Sequence, residues 1–136
     1  MIYLDTSALV KLVRAEAESP ALVEWLAQHT DVPCIASVLV EVELPRALRR
    51  SQPGVLGGVP AVLARLYRYE MDAAVRATAA GYLEASLRSL HAIHLATAEV
   101  LVAAGKTITA FVAYDQRLRD AAKNLGLTVV TPGSVR

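Results

Sequence analysis

Cysteine is nearly absent from this chain. Cys34 is the only one, so no intrachain disulfide is available and nothing demands an oxidising compartment. Long hydrophobic runs are missing as well, and none approaches the roughly 20 residues needed to cross a bilayer. The N-terminus lacks the basic stretch and small-residue cleavage site of a signal peptide. These absences predict a cytoplasmic protein with no membrane partner. Repeats, low-complexity tracts and linkers are also missing. A length of 136 residues suits one domain with a real core and is short for two, so a single domain over 1–136 is expected. Acids are missing from one stretch: none lies between Glu43 and Glu70, where Arg46, Arg49, Arg50, Arg65 and Arg68 all fall. In a chain of net charge +1, that segment is a candidate contact for phosphates or for an acidic partner. Arginines on solvated helix faces would give the same pattern.

What is present is apolar. Hydrophobic residues make up 54% of the chain, chiefly Ala, Val and Leu, which excludes disorder and suits central strands covered on both faces. Ile2 to Leu4 reads as a short buried strand, followed by a helix from Ala8 to about Arg14 that Thr6 or Ser7 can cap. Pro20 fits the first turn of a helix through Leu26. Pro33 to Ser37 is a second strand, and Ser37 can cap a helix running through Arg50, with a kink expected at Pro45. Ser51-Gln52-Pro53-Gly54 and Gly57-Gly58 mark an exposed loop. Pro60 opens a helix to about Leu66, Tyr67 to Met71 is a third strand, and Asp72 caps a helix to about Ala80. The longest helix runs from about Leu87 to Ala104, with Leu87, Leu90, His91, His94, Ala98, Leu101 and Val102 on one stripe. Ile108 to Tyr114 is a strand, Gln116 to Leu125 a helix, and Leu127 to Val130 a last strand. Strands alternating with helices predict a parallel sheet with helices on both faces.

Ligands in such sheets bind beyond the carboxyl ends of the strands. Asp5 and Asp115 stand at two such ends, each leading into a helix. Each is also a natural helix N-cap, which is the plain alternative. Glu41 lies among Val38, Leu39, Val40, Val42 and Leu44, so it faces either solvent or a site that needs charge. Converging carboxylates repel by roughly 4 kcal/mol at about 4 Å and an effective dielectric near 20, and a divalent cation offsets that. Mg²⁺ or Mn²⁺ would take oxygen ligands here and bridge to phosphate oxygens. The chemistry suggested is phosphodiester hydrolysis by activated water, with the carboxylates of Asp5, Glu41 and Asp115 some 4–8 Å apart, about one coordination shell or a bridging water.

The segments Ile2-Tyr3-Leu4-Asp5-Thr6-Ser7-Ala8-Leu9-Val10-Lys11-Leu12, Ala36-Ser37 with Glu41, Leu87 to Ala98, and Ala113-Tyr114-Asp115-Gln116-Arg117-Leu118 together resemble PIN-domain ribonucleases, and more narrowly the VapC toxins of toxin–antitoxin pairs. The resemblance spans the chain in order. It implies a three-layer α/β/α domain with a central parallel sheet ordered 3-2-1-4-5. It also implies a Mg²⁺- or Mn²⁺-dependent endoribonuclease that cuts structured RNA such as tRNA or rRNA, a homodimer, and a small cognate antitoxin. Asp5, Glu41, the position of His91 and Asp115 would hold metal, and Arg46, Arg49 and Arg50 would meet RNA or antitoxin. His91 departs from the pattern Leu-Asp-Ala-Ile-His-Leu-Ala, in which the aspartate is a ligand; here the run is Leu90-His91-Ala92-Ile93-His94-Leu95-Ala96. One nucleotide separates the two residues, and both a natural variant and an inactivating change are open. An imidazole there is expected to attenuate Mg²⁺-dependent activity. His91 and His94 also form a His-x-x-His pair that could bind Zn²⁺, although His94 reads better as a packed core histidine. A haloacid-dehalogenase-like phosphotransferase would want an acid at Ser7, and a receiver domain would want a lysine after the last strand. The main rival is a catalytically weak PIN domain that works by binding antitoxin or RNA.

Overall fold

The computed structural model describes residues 1–134. Its elements follow the chain as β1 (Ile2–Leu4), α1 (Thr6–Val13), α2 (Ser19–Ala27), β2 (Cys34–Ser37), α3 (Val40–Ser51), a 3-10 segment (Pro53–Gly58), α4 (Val59–Ala64), β3 (Tyr67–Tyr69), α5 (Ala73–Ala80), α6 (Ser89–Ala103), β4 (Ala110–Val112), α7 (Gln116–Asn124) and β5 (Val129–Val130). The five strands form one sheet in the order β3-β2-β1-β4-β5, and every pairing is parallel. This is the order that the resemblance implies.

The alternation of side chains along each strand divides the core in two. Ile2, Leu4, Ala36, Ala110 and Val112 face one layer and pack on Leu9 of α1, Leu22 of α2, Leu44 and Leu48 of α3, and Val59 and Val62 of α4. Tyr3, Ile35, Phe111 and Ala113 face the other and pack on Leu95, Ala98 and Leu101 of α6 and on Leu118, Ala121 and Ala122 of α7. The Tyr3 ring stacks on Phe111 with centroids 5.0 Å apart. α5 lies along α6.

Several expectations are revised. α3 begins at Val40, not Ser37, because Val38 and Leu39 form the turn out of β2, and it continues through Pro45 to Ser51. The glycine-rich stretch, expected as loop, winds into a 3-10 turn. β3 stops at Tyr69, two residues short of Met71. On α6, Leu90 and Val102 are 48% and 46% exposed, outside the buried stripe assigned to them.

β1 and β4 lie side by side in register, Leu4 opposite Val112. Their next residues therefore emerge together at the carboxyl edge of the sheet. Among the described residues no helix is long and apolar enough to cross a membrane.

Candidate active site

Asp5 follows β1 and is the N-cap of α1. Its Oδ1 accepts from the Ala8 amide at 3.0 Å and from the Ser7 hydroxyl at 2.7 Å. The residue is 2% exposed. Burial pushes its carboxyl above the usual aspartate range, against the opposing pull of His94, Ser7, the Ala8 amide and His91. Ser7 also accepts from the Tyr114 amide at 3.1 Å. One hydroxyl thus ties the end of β1 to the residue preceding Asp115.

Asp115 caps α7 and accepts from the Leu118 amide at 3.1 Å. Its side chain is 40% exposed, and Oδ1 lies 3.7 Å from His91 Nδ1. That nitrogen is buried without a hydrogen-bond partner. His91 thus lies beside Asp115, and the β1–β4 pairing and the Ser7 bridge set Asp5 at the same sheet edge.

Glu41 is not brought to them. It ion-pairs with Arg68 at 3.0 Å, with 43% of its side chain exposed. The α3 carboxylate turned inward is Glu43, two positions on, which the sequence reading missed. Its Oε1 accepts from Thr6 at 2.6 Å and meets His94 Nε2 at 2.7 Å. Burial pushes its carboxyl up, but the hydrogen bond and charge of His94, then the Thr6 hydroxyl and His91, hold it below the ordinary glutamate range. A sequence signal did exist. Val40, Leu44 and Leu48 define the buried face of α3. Glu43 sits three after Val40, one before Leu44 and four before the half-buried Ala47, whereas Glu41 aligns with Pro45 and exposed Arg49.

His94 is 1% exposed. Its Nδ1 meets the Tyr3 hydroxyl at 2.8 Å, and its Nε2 faces Glu43. With both nitrogens engaged it does not share a Zn²⁺ site with His91, and it is the core histidine that its sequence surroundings suggested.

Among the described residues no three His, Cys, Asp or Glu side chains form a ready-made cation cage. Mg²⁺ and Mn²⁺ do not need one, since they bind through one or two carboxylates and keep several waters. The donor set fits such an ion, with a bias. The orphaned imidazole nitrogen beside Asp115 is a ligand that Mn²⁺ accepts and Mg²⁺ does not favour.

Arg46, Arg49 and Arg50 lie exposed on α3. Arg50 joins Lys11, Arg14, Glu16 and Ser7 around a cavity of about 430 Å³ that reaches the cleft at Ser7. Lys11 and Arg14 are paired there with Glu16 and Glu18. A second cavity, of about 420 Å³, is lined by Leu12, Val23, Leu26, Val62 and Leu66 and has no carboxylate in its wall.

The PIN domain family matches residues 2–124. Ribonuclease VapC35 of Mycobacterium tuberculosis is 55% identical over 136 residues, the full length of both chains. The crystal structure of M. tuberculosis VapC20, described as a sarcin-ricin loop cleaving toxin, superposes with a TM-score of 0.69 at 18% identity, covering 89% of this chain and 95% of that one. VapBC2 of Rickettsia felis, solved on a DNA fragment from its promoter, superposes with a TM-score of 0.63 at 16% identity, covering 97% and 99%. At those identities the two structures speak for the fold alone.

Proposed function

Because the chain belongs to the PIN-domain family and stands among its VapC ribonucleases, we propose that it is the toxin of a toxin–antitoxin pair, a divalent-metal-dependent endoribonuclease acting on structured RNA such as tRNA or rRNA. The observation that supports the reading is that Asp5 and Asp115 follow the adjacent strands β1 and β4, while Thr6, next to Asp5, donates to Glu43, which stands in for the expected Glu41. A cation held by Asp5, Glu43, Asp115 and His91 would supply an acidified water and offset charge on the scissile phosphate.

The residues themselves supply the rest. Glu43, held below the ordinary glutamate range, stays ionised at neutral pH and contributes fixed negative charge. Asp5 has the carboxyl raised by burial, so it is the better proton acceptor of the two. Its Oδ1 is occupied by Ser7 and Ala8, and Oδ2 takes no part in those bonds. Lys11, Arg14 and Arg50 line the way in from Ser7 and would hold flanking phosphates. Arg46 and Arg49 extend that surface toward RNA or a small antitoxin. We read the working unit as a homodimer.

Purified protein incubated with Mn²⁺ and total RNA tests the activity. Cleavage that requires the metal and disappears in Asp5→Asn supports the reading. Cleavage that survives that substitution sinks it. One observation favours a second reading: His91 puts an imidazole nitrogen where a carboxylate is expected. A chain that binds RNA or antitoxin but fails to cut with either Mg²⁺ or Mn²⁺ is a binding module.

A further inference from the structure

The polar groups buried beneath Glu43 form a chain with a direction. The Ser37 amide donates to the Tyr3 hydroxyl at 3.2 Å. The Tyr3 hydroxyl lies 2.8 Å from His94 Nδ1. Where the phenol donates to Nδ1, the imidazole proton sits on Nε2, which faces Glu43 Oε1 at 2.7 Å. Thr6 donates to the same oxygen at 2.6 Å. The other tautomer would set a lone pair on Nε2 against an ionised carboxylate.

We infer that Tyr3 and His94 are positioning residues that aim Glu43. The phenol holds the imidazole, the imidazole and Thr6 clamp Oε1, and Oε2 is left outside the clamp. Neither residue needs to touch substrate. Tyr3 and His94 are 0% and 1% exposed and both belong to the layer of α6, so the aim of a side chain on α3 is set from the opposite layer of the core. This rests on the reading of Glu43 as a carboxylate of the active cleft.

Tyr3→Phe is the informative variant, because it keeps the ring stacked on Phe111 and removes only the hydroxyl. Imidazole ¹⁵N NMR of the full chain without metal or RNA should show a proton on His94 Nε2, the nitrogen that faces Glu43. In Tyr3→Phe that preference should relax, Mn²⁺ affinity measured by electron paramagnetic resonance should fall about tenfold, and kcat on RNA should fall similarly with KM unchanged. His94→Gln, whose amide can accept from Tyr3 and donate to Glu43, should recover most of what His94→Leu loses. A His94 Nε2 without a proton in the parent protein overturns the inference. So does a Tyr3→Phe protein that stays folded with full Mn²⁺ affinity. If the parent protein cuts no RNA at all, the ribonuclease reading fails instead, and the tautomer and Mn²⁺ measurements still decide the role of Tyr3.

Discussion

The turns after β1 and after β3 are built alike. In each, a strand leads to an aspartate in extended conformation that caps the next helix, Asp5 accepting from Ala8 and Asp72 accepting from Val75 at 2.9 Å. Asp72 lies at the sheet's edge strand, takes a hydrogen bond from Tyr69, and its carboxyl is lowered, chiefly by the Val75 amide. Asp5 lies on the central strand beside Asp115, buried, with its carboxyl raised. The local motif is the same and the neighbourhood is not. Capping a helix and serving a site are not alternatives, and position in the sheet decides whether the second follows from the first.

Exchanging each aspartate for asparagine is the strongest way to break that contrast. Asparagine caps as well as aspartate. Asp5→Asn should lower RNA cleavage by about 10²–10³-fold and raise stability by about 1 kcal/mol, with a higher Tm, as relief of a strained functional group does. The sign follows from linkage: a carboxyl whose folded pKa lies above its ordinary 3.8 costs stability as pH rises from that value through the folded one. Asp72→Asn should leave cleavage unchanged. Parallel kinetics and thermal melts check both.

Two acids on α3 give the next test. Glu43→Gln should cost cleavage on the order of 10²-fold, and Glu41→Gln should cost nothing measurable, because a half-exposed pair with Arg68 contributes little. Glu43 titrates in the opposite sense to Asp5. Its stabilisation is present above its ordinary pKa of 4.5 and is lost as pH falls through the lower folded value. Acid melts of Glu43→Gln should therefore show a weaker pH dependence below about 4.5 than the parent, with Glu16 and Asp72 supplying what remains.

His91→Asp sharpens the comparison by completing the acidic set. It should raise Mg²⁺ affinity and Mg²⁺-dependent cleavage by about tenfold and change the Mn²⁺ response less, as paired titrations would show. Equal Mg²⁺ binding in both proteins would mean that the position is dispensable. The smallest expected effect is at the arginines. Reversing charge at Arg46, Arg49 or Arg50 should reduce the salt slope of RNA binding by about one for each phosphate no longer neutralised. An unchanged slope removes that arginine from the interface.

The strands and the two central aspartates were legible because short apolar runs ending in Asp and followed by helical spacing leave few alternatives. Glu43 was not, because the phase of α3 depends on a two-residue turn at Val38 and Leu39 that carries no glycine or proline to mark it. Counting from Ser37 favours Glu41, and counting from Val40 turns Glu43 inward. His94 was legible as a core histidine, but its link to Tyr3 was not, since the two are 91 residues apart and meet only across β1 and α6.

β1 is three residues long, and a slip of one residue would exchange Tyr3 with an aliphatic neighbour and send every side chain to the opposite face. Apolar residues alone resist that weakly here, since both faces of the sheet are greasy. The Tyr3 hydroxyl resists it strongly. A slipped strand would strand the Ser37 amide and His94 Nδ1 in the core, at about 1–3 kcal/mol each. The contacts that set up the cleft therefore also penalise a slipped β1, so that register and site assembly depend on the same few hydrogen bonds.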